Sequence, residues 1–218
     1  MEIEKLYRGR FDEKERQRKN DIWKVLCSSF FQKYIPTDSI VLDIGAGYCE
    51  FINNIQCVKK YAVDLTEDTA NFANGDVKVF KCPSSNLSFL SDESMDIVFM
   101  SNFLEHLKTK EEVIKTLSES FRVLKPGGYV MILQPNIRYL YKEYWDFFDH
   151  HIPLSDKSLI EALRMVGFRI EQILPKFLPY TTKSRMPQHS LLVKTYLKMP
   201  FIWKIMGRQM FVFGRKYV

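Results

Sequence analysis

Residues Val41–Phe51 read VLDIGAGYCEF, and the fold is decided by how they are parsed. Val41 and Leu42 read as the end of a buried strand, Asp43 as its polar exit, and Gly45-Ala46-Gly47 as a tight turn into an amphipathic helix. Glycine suits such a turn because a ligand can lie against bare backbone and because positive φ costs it nothing. The N–H groups of the next helix then face any bound anion. A dinucleotide fingerprint would put a third glycine where Glu50 stands, which counts against a nicotinamide-dependent oxidoreductase. A strand-to-helix turn with no ligand remains the plain alternative until residues downstream decide.

Those residues follow in order. Lys60–Val63 predicts a second strand that ends at Asp64, 21 residues beyond Asp43. An acid at the tip of a second strand is where the ribose hydroxyls of a bound nucleoside arrive, and a carboxylate accepts from both. Val77–Lys81 and Asp96–Met100 predict the third and fourth strands, the latter apolar enough to be buried on both faces of a parallel sheet. Glu111–Leu124 predicts a helix, and Lys125-Pro126-Gly127-Gly128 a turn into a fifth strand, Tyr129–Leu133. Strands that alternate with helices imply an open α/β sheet wound on both sides. Its ligands bind at the carboxyl ends of the strands, where Asp43, Asp64, Ser101, Asn102 and Gln134 fall. Upstream, Phe11–Tyr34 carries apolar residues at helical spacing (Ile22, Trp23, Leu26, Phe30, Phe31), so residues 1–36 form a helical extension that Pro36-Thr37-Asp38 closes.

The 218 residues suit a single domain, and 46% hydrophobic with 27% charged residues is ordinary for a globular chain. No leader-like apolar run opens the sequence and no apolar run is long enough to span a membrane, which predicts a cytoplasmic protein. Cys27, Cys49, Cys57 and Cys82 show neither a C-x-x-C pair nor metal-finger spacing, so reduced thiols are expected. The net charge of +6 is uneven. Nine Lys/Arg face six Asp/Glu in the first 36 residues, 14 face 20 in residues 37–171, and nine face none beyond Glu171. Basic ends on an acidic centre point to an anionic partner or to a solvated basic face.

With VLDIGAGYCEF, YAVDL, SMDIVFMSNFLEHL and FRVLKPGGYVMILQPN in this order, residues 40–174 resemble the class I S-adenosylmethionine-dependent methyltransferases. The resemblance implies a Rossmann-like, doubly wound seven-stranded sheet, mostly parallel with its last strand antiparallel, and places the final strands at Phe168–Leu174 and Gln209–Arg215. YRGRF, DFFDHHIPLSDKSL and LPYTTKSR are similar to bacterial methyltransferases associated with polysaccharide assembly. The implied cofactor is S-adenosyl-L-methionine. By resemblance, Asp43, Gly45, Ala46 and Gly47 serve its methionine part, Asp64 its ribose and Leu65 its adenine. Cys49 stands where a further glycine is usual. The acid expected after the third strand is missing from KCPSSN, which leaves Ser84, Ser85 or backbone for the adenine amine. Ser101 and Asn102 complete the cofactor set.

Methyl transfer from a positively charged sulfur is an in-line displacement, for which a protein supplies positioning and, for a hydroxyl acceptor, a base. His106, beside Glu105, is the expected base because imidazole titrates near neutrality. An anchoring histidine at the start of the next helix is the alternative. No metal is assigned. In a variant reading, Asn102-x-x-Glu105-His106 with His150-His151 holds a divalent cation, and the acceptor is a ribose 2′-hydroxyl of RNA. His150 and His151 could also cap the helix in SDKSLIEALRMVGF. The insertion 175–208, with Lys194, Lys198 and Lys204 among Leu, Tyr, Phe, Ile and Trp, is expected to build an acceptor lid. Its basic, aromatic character suits peripheral membrane contact. The resulting expectation is O-methylation of a sugar hydroxyl on a small-molecule or lipid-linked glycan acceptor, with nucleic acid disfavoured. A non-catalytic S-adenosylmethionine-binding partner protein is the reading from another class.

Overall fold

The computed structural model describes residues 12–180 and 190–217. The YRGRF and TTKSR segments lie outside them. Seven strands form one sheet in the order β3-β2-β1-β4-β5-β7-β6: β1 Ile40–Ile44, β2 Lys59–Asp64, β3 Val77–Lys81, β4 Met95–Ser101, β5 Leu124–Pro135, β6 Phe168–Leu174 and β7 Gln209–Lys216. The pairs from β3 through β5 are parallel, and β7 runs antiparallel to both β5 and β6. This is the doubly wound sheet expected of the sequence, with its last strand reversed.

Alternation along the central strands divides the core. Val41, Ile97, Phe99, Met131, Leu133 and Phe211 face one layer, and Leu42, Val98, Met100, Val130, Ile132 and Val212 the other. The second layer is closed by α4, Lys110–Val123, and α6, Asp156–Val166. The first carries α1, Glu13–Ser29, the short helix α2, Glu50–Asn54, and the helices α7, Ser190–Leu197, and α8, Pro200–Met206. Its centre is aromatic: Phe51 stacks on Phe99 with centroids 3.6 Å apart, Phe31 meets both edge-on, and Trp203 meets Phe177 edge-on. Offset and edge-to-face arrangements let so many rings share one layer. Between β2 and β3 lies the short helix α3, Thr69–Phe72, and after β5 the short helix α5, Ile137–Leu140.

Three boundaries differ from the sequence expectation for identifiable reasons. The first helix begins after Asp12, whose carboxylate accepts from the Glu15 backbone while Glu15 accepts from that of Asp12, a capping box. It ends at Ser29, and Phe31–Tyr34 continues as a tighter 3-10 turn that buries Phe31. The KPGG segment is part of β5 rather than a turn ahead of it, with the register slipping opposite Met95/Ile97. A Cβ on Gly128 would stand 2.9 Å from the carbonyls of Asp96 and Lys125, so only glycine lets the strand approach so closely.

The loop over 83–94 is pinned by one side chain. Arg122 donates to Glu119 through Nε and Nη2 (2.8 Å each), to the Leu87 and Leu90 carbonyls (3.0 Å each), and to Asp92. The carboxylates beside it raise its pKa, so it stays charged. Lysine keeps the charge but not the planar fork. Arg122→Lys is expected to lower stability by about 1–2 kcal/mol, read as a shift in the urea midpoint at constant slope.

Candidate active site

The turn after β1 and the tip of β2 are joined through Asp64. Its Oδ2 accepts from the Gly47 N–H at 2.8 Å and its Oδ1 from the Thr66 N–H at 2.9 Å. Gly45 and Gly47 both take positive φ, +71° and +51°. Among the described residues beyond its chain neighbours, no heavy atom lies within 4 Å of where a Cβ on Gly47 would stand, whereas one on Gly45 would meet the Phe103 ring. Ala46 is buried, and its N–H, like that of Gly45, donates to the Val63 carbonyl. Leu65, next to Asp64, is 64% exposed. An exposed apolar side chain, an acid with lone pairs to spare and a turn open at Gly47 fit a nucleoside whose ribose lies on Asp64 and whose base lies on Leu65.

Several expected cofactor residues also make contacts within the fold. Asp43 is buried at the end of β1, with its carboxyl towards the first turn of α2. Helix α2 has only five residues, and Cys49 before it offers no side-chain cap. The anion-facing helix end expected from the sequence is therefore short. Cys49 sits at φ 59°, which explains why glycine is usual there: other residues pay about 1–2 kcal/mol for left-handed backbone. The Ser84 hydroxyl is buried against that of Thr116, 2.7 Å away, so its side chain serves α4, while half-buried Ser85 follows it. Ser101 and Asn102 end β4, with Asn102 at φ 46° and its N–H on the Leu133 carbonyl at 2.8 Å.

Burial, and to a lesser degree the neighbouring Glu50 and Asp64 charges, hold the Asp43 carboxyl well above the usual carboxylate range. A raised folded-state value favours the protonated form in the fold. That contribution is fully present below the unfolded value near 3.9 and is lost as pH rises through the folded one. Asp43→Asn keeps the size and shape of the side chain without the charge. It is expected to raise stability at pH 7 and to flatten the dependence of stability on pH between about 4 and 8, measured by urea unfolding across that range.

Beyond Phe103 the chain makes a 3-10 turn, Leu104–His106. Glu105 is fully buried; its Oε2 accepts from the Gln134 amide at 2.8 Å, and its Oε1 has no partner among the described residues. Burial raises its pKa against the opposing pull of His106. His106 places Nδ1 3.0 Å from the Asp149 carbonyl and 3.2 Å from Asp149 Oδ2. Burial would lower its pKa, but Asp149 and Glu105 together raise it. The ring of His150 stands 5.2 Å from that of His106, and its Nδ1 is 2.8 Å from the Tyr144 carbonyl. His151 is exposed, and its N–H donates to the Glu105 carbonyl at 2.7 Å. Neither histidine caps α6: Ser155 does, in a capping box with Ser158. Phe103, Asp149 and Tyr144 were not singled out from the sequence. Asp149 adjoins the His pair in DFFDHH, and that adjacency was the available signal.

Residues 42–132 match a family model described as a methyltransferase domain. The probable tRNA methyltransferase 9B of Mus musculus is 33% identical over 104 residues, 47% of this chain and 23% of its own length. A probable S-adenosylmethionine-dependent methyltransferase of Mycolicibacterium smegmatis is 30% identical over 146 residues, 63% of this chain and 54% of its own length. The chain thus spans about a quarter and about half of these two relatives. Among solved structures, a SAM-dependent methyltransferase from Archaeoglobus fulgidus superposes with a TM-score of 0.63 at 24% identity, over 88% of this chain and 94% of that one. Residues 42–132 thus match a methyltransferase-domain family, and the seven-stranded sheet has the fold of solved S-adenosylmethionine-dependent methyltransferases.

Proposed function

We propose that the chain transfers the methyl group of S-adenosylmethionine to a hydroxyl of a sugar, on a small-molecule or lipid-linked glycan. When bound, the cofactor supplies a methyl on a positively charged sulfur, and the chain's task is to hold an acceptor oxygen in line with it. The observation that carries the acceptor class is the segment after β5. It exposes Tyr141, Trp145 and Phe148, the last 91% exposed, and packs its Tyr144, Phe147 and His150 rings together beside His106. Exposed rings next to a proton-accepting cluster suit a sugar, whose C–H faces lie on aromatic surfaces while its hydroxyls reach polar groups. His106, with Nδ1 held by Asp149, presents Nε2 as the base in its neutral form.

Tyr180 meets Phe147 edge-on at 5.7 Å, so the chain entering the 175–208 insertion reaches the acceptor side, in keeping with a lid. Helices α7 and α8 bury Leu197 and Trp203 but expose Leu191, Leu192, Phe201 and Ile205 alongside Lys194, Lys198 and Lys204. That mixture favours an anionic membrane face carrying a lipid-linked acceptor. No helix among the described residues is long and apolar enough to cross a membrane. The relative named as a tRNA methyltransferase favours a second reading, an RNA acceptor, since exposed aromatics also stack on bases.

Radiolabelled methyl donor offered with lipid-linked glycan, nucleotide sugars or RNA separates these readings. Label in a glycan or sugar fraction that depends on His106 supports the first, and label in RNA the second. Donor binding with no transfer to any fraction would leave a non-catalytic partner protein.

A further inference from the structure

Glu105, His106 and His150 offer ligand atoms that all lie within 4.8 Å of one another, although 44 residues lie between Glu105 and His150 and only the 3-10 turn and the segment after β5 bring them together. Sequence alone left His150 and His151 equivalent. The structure selects His150, which is buried, over His151, which is exposed.

Each imidazole is oriented from behind. His106 directs Nδ1 at the Asp149 carbonyl and carboxylate, and His150 directs Nδ1 at the Tyr144 carbonyl. Acceptors at Nδ1 fix the tautomer that carries a proton there and a lone pair on Nε2, the arrangement that second-shell groups impose on metal-binding histidines. The third donor is held in the same way: Gln134 donates to one oxygen of Glu105, and the other oxygen is buried without a partner among the described residues. A fully buried carboxylate oxygen with nothing donating to it is costly unless a proton or a cation meets it. Two further acceptors, Asn102 Oδ1 and Gln134 Oε1, are also buried without partners among the described residues. Among the described residues the cluster thus adjoins unmatched acceptors, which suit a positive ion.

We propose that Glu105, His106 and His150 form a binding site for a divalent transition-metal ion, with a coordination position left for a ligand from the acceptor side. Two imidazoles and one carboxylate favour zinc, iron(II), cobalt or manganese over magnesium or calcium, which prefer all-oxygen sets. An occupied site holds the His106 lone pair. It acts on a coordinated hydroxyl by lowering its pKa, the proton passing to water, in place of the imidazole alone. Metal binding itself does not depend on the acceptor or on methyl transfer, so it is tested separately from the proposed function.

The test is titration of chelator-treated full-length chain with Co²⁺, followed by calorimetry and visible absorption, with Mg²⁺ as the comparison. One equivalent of Co²⁺ with a nitrogen/oxygen d–d spectrum is expected, with Mg²⁺ binding at least about tenfold weaker. His150→Ala and Glu105→Gln each weaken Co²⁺ binding at least about 30-fold. Circular dichroism and S-adenosylmethionine binding show whether each variant is folded. Should Glu105→Gln fail to fold, His150→Ala with added imidazole takes its place, and imidazole restores the spectrum. The proposal is overturned if the wild-type chain takes up no Co²⁺, if His150→Ala binds it as well, or if a thiolate charge-transfer band shows the ion on cysteine.

Discussion

Asp64→Ala lowers the affinity for S-adenosylmethionine about 100-fold in a calorimetric titration. A carboxylate has about four lone-pair positions; the Gly47 and Thr66 N–H groups occupy one on each oxygen, and the remaining two are matched to a pair of vicinal hydroxyls. Hydrogen bonds to a charged group are worth about 1.5–3 kcal/mol each. Losing two, offset by water that solvates the freed ribose, leaves a deficit of about 3 kcal/mol, or two factors of ten. Alanine also releases the Gly47 N–H, so the turn itself loosens. Asp64→Asn separates the two effects. It keeps one acceptor oxygen for the turn but gives up the charge, and a loss of only about tenfold is expected. An unchanged dissociation constant for both variants would mean that the ribose lies elsewhere. A weakened cofactor with an unchanged NAD titration would tie the acid to this ligand.

How much of this was legible beforehand differs between backbone and side chains, for a physical reason. Strand positions follow from period-two burial and element order from the glycine and proline punctuation, and both are local in sequence. Hence β3 was placed at its observed limits, Val77–Lys81, whereas β6, Phe168–Leu174, came from the family resemblance. The KPGG segment was misread because its strand pairing depends on how closely Asp96 approaches Gly128, a tertiary fact. Side-chain duties are harder still. Asp43 in VLDIG reads as the polar exit of a strand, and only the depth of β1 shows that its carboxyl is buried. Ser84 looks exposed in KCPSSN until α4 brings Thr116 to it. Conversely, Glu105 and His106 were singled out by their place after β4, but their partners Asp149 and His150 lie more than 40 residues downstream. No periodicity reports that distance.

Gly45→Ala is expected to cost at least about 3 kcal/mol of stability, a large share of the total for a domain of this size. Two separable causes contribute. The backbone at φ +71° is left-handed, which costs a residue with a Cβ about 1–2 kcal/mol. In addition, the new methyl would lie 2.2 Å from Cδ2 of Phe103 and 2.9 Å from its Cβ. The second distance matters more, because a ring can rotate away whereas a Cβ moves only with its backbone. Phe103 is itself fixed between strand β4 and the turn that carries Glu105. The overlap therefore pushes on the acceptor side and on the Gly45 N–H bond to Val63 together. A double-mutant cycle by urea denaturation isolates the overlap. Phe103→Ala alone destabilises by emptying a half-buried site, but in the Gly45→Ala background it should be about 1–2 kcal/mol less harmful, since the ring it removes is the one in conflict. Additive losses would show that Phe103 does not rest on the glycine turn. Coupling of the expected sign would establish the contact that links the cofactor turn to Glu105 and His106, so that the donor and acceptor halves of the site are held through one aromatic ring.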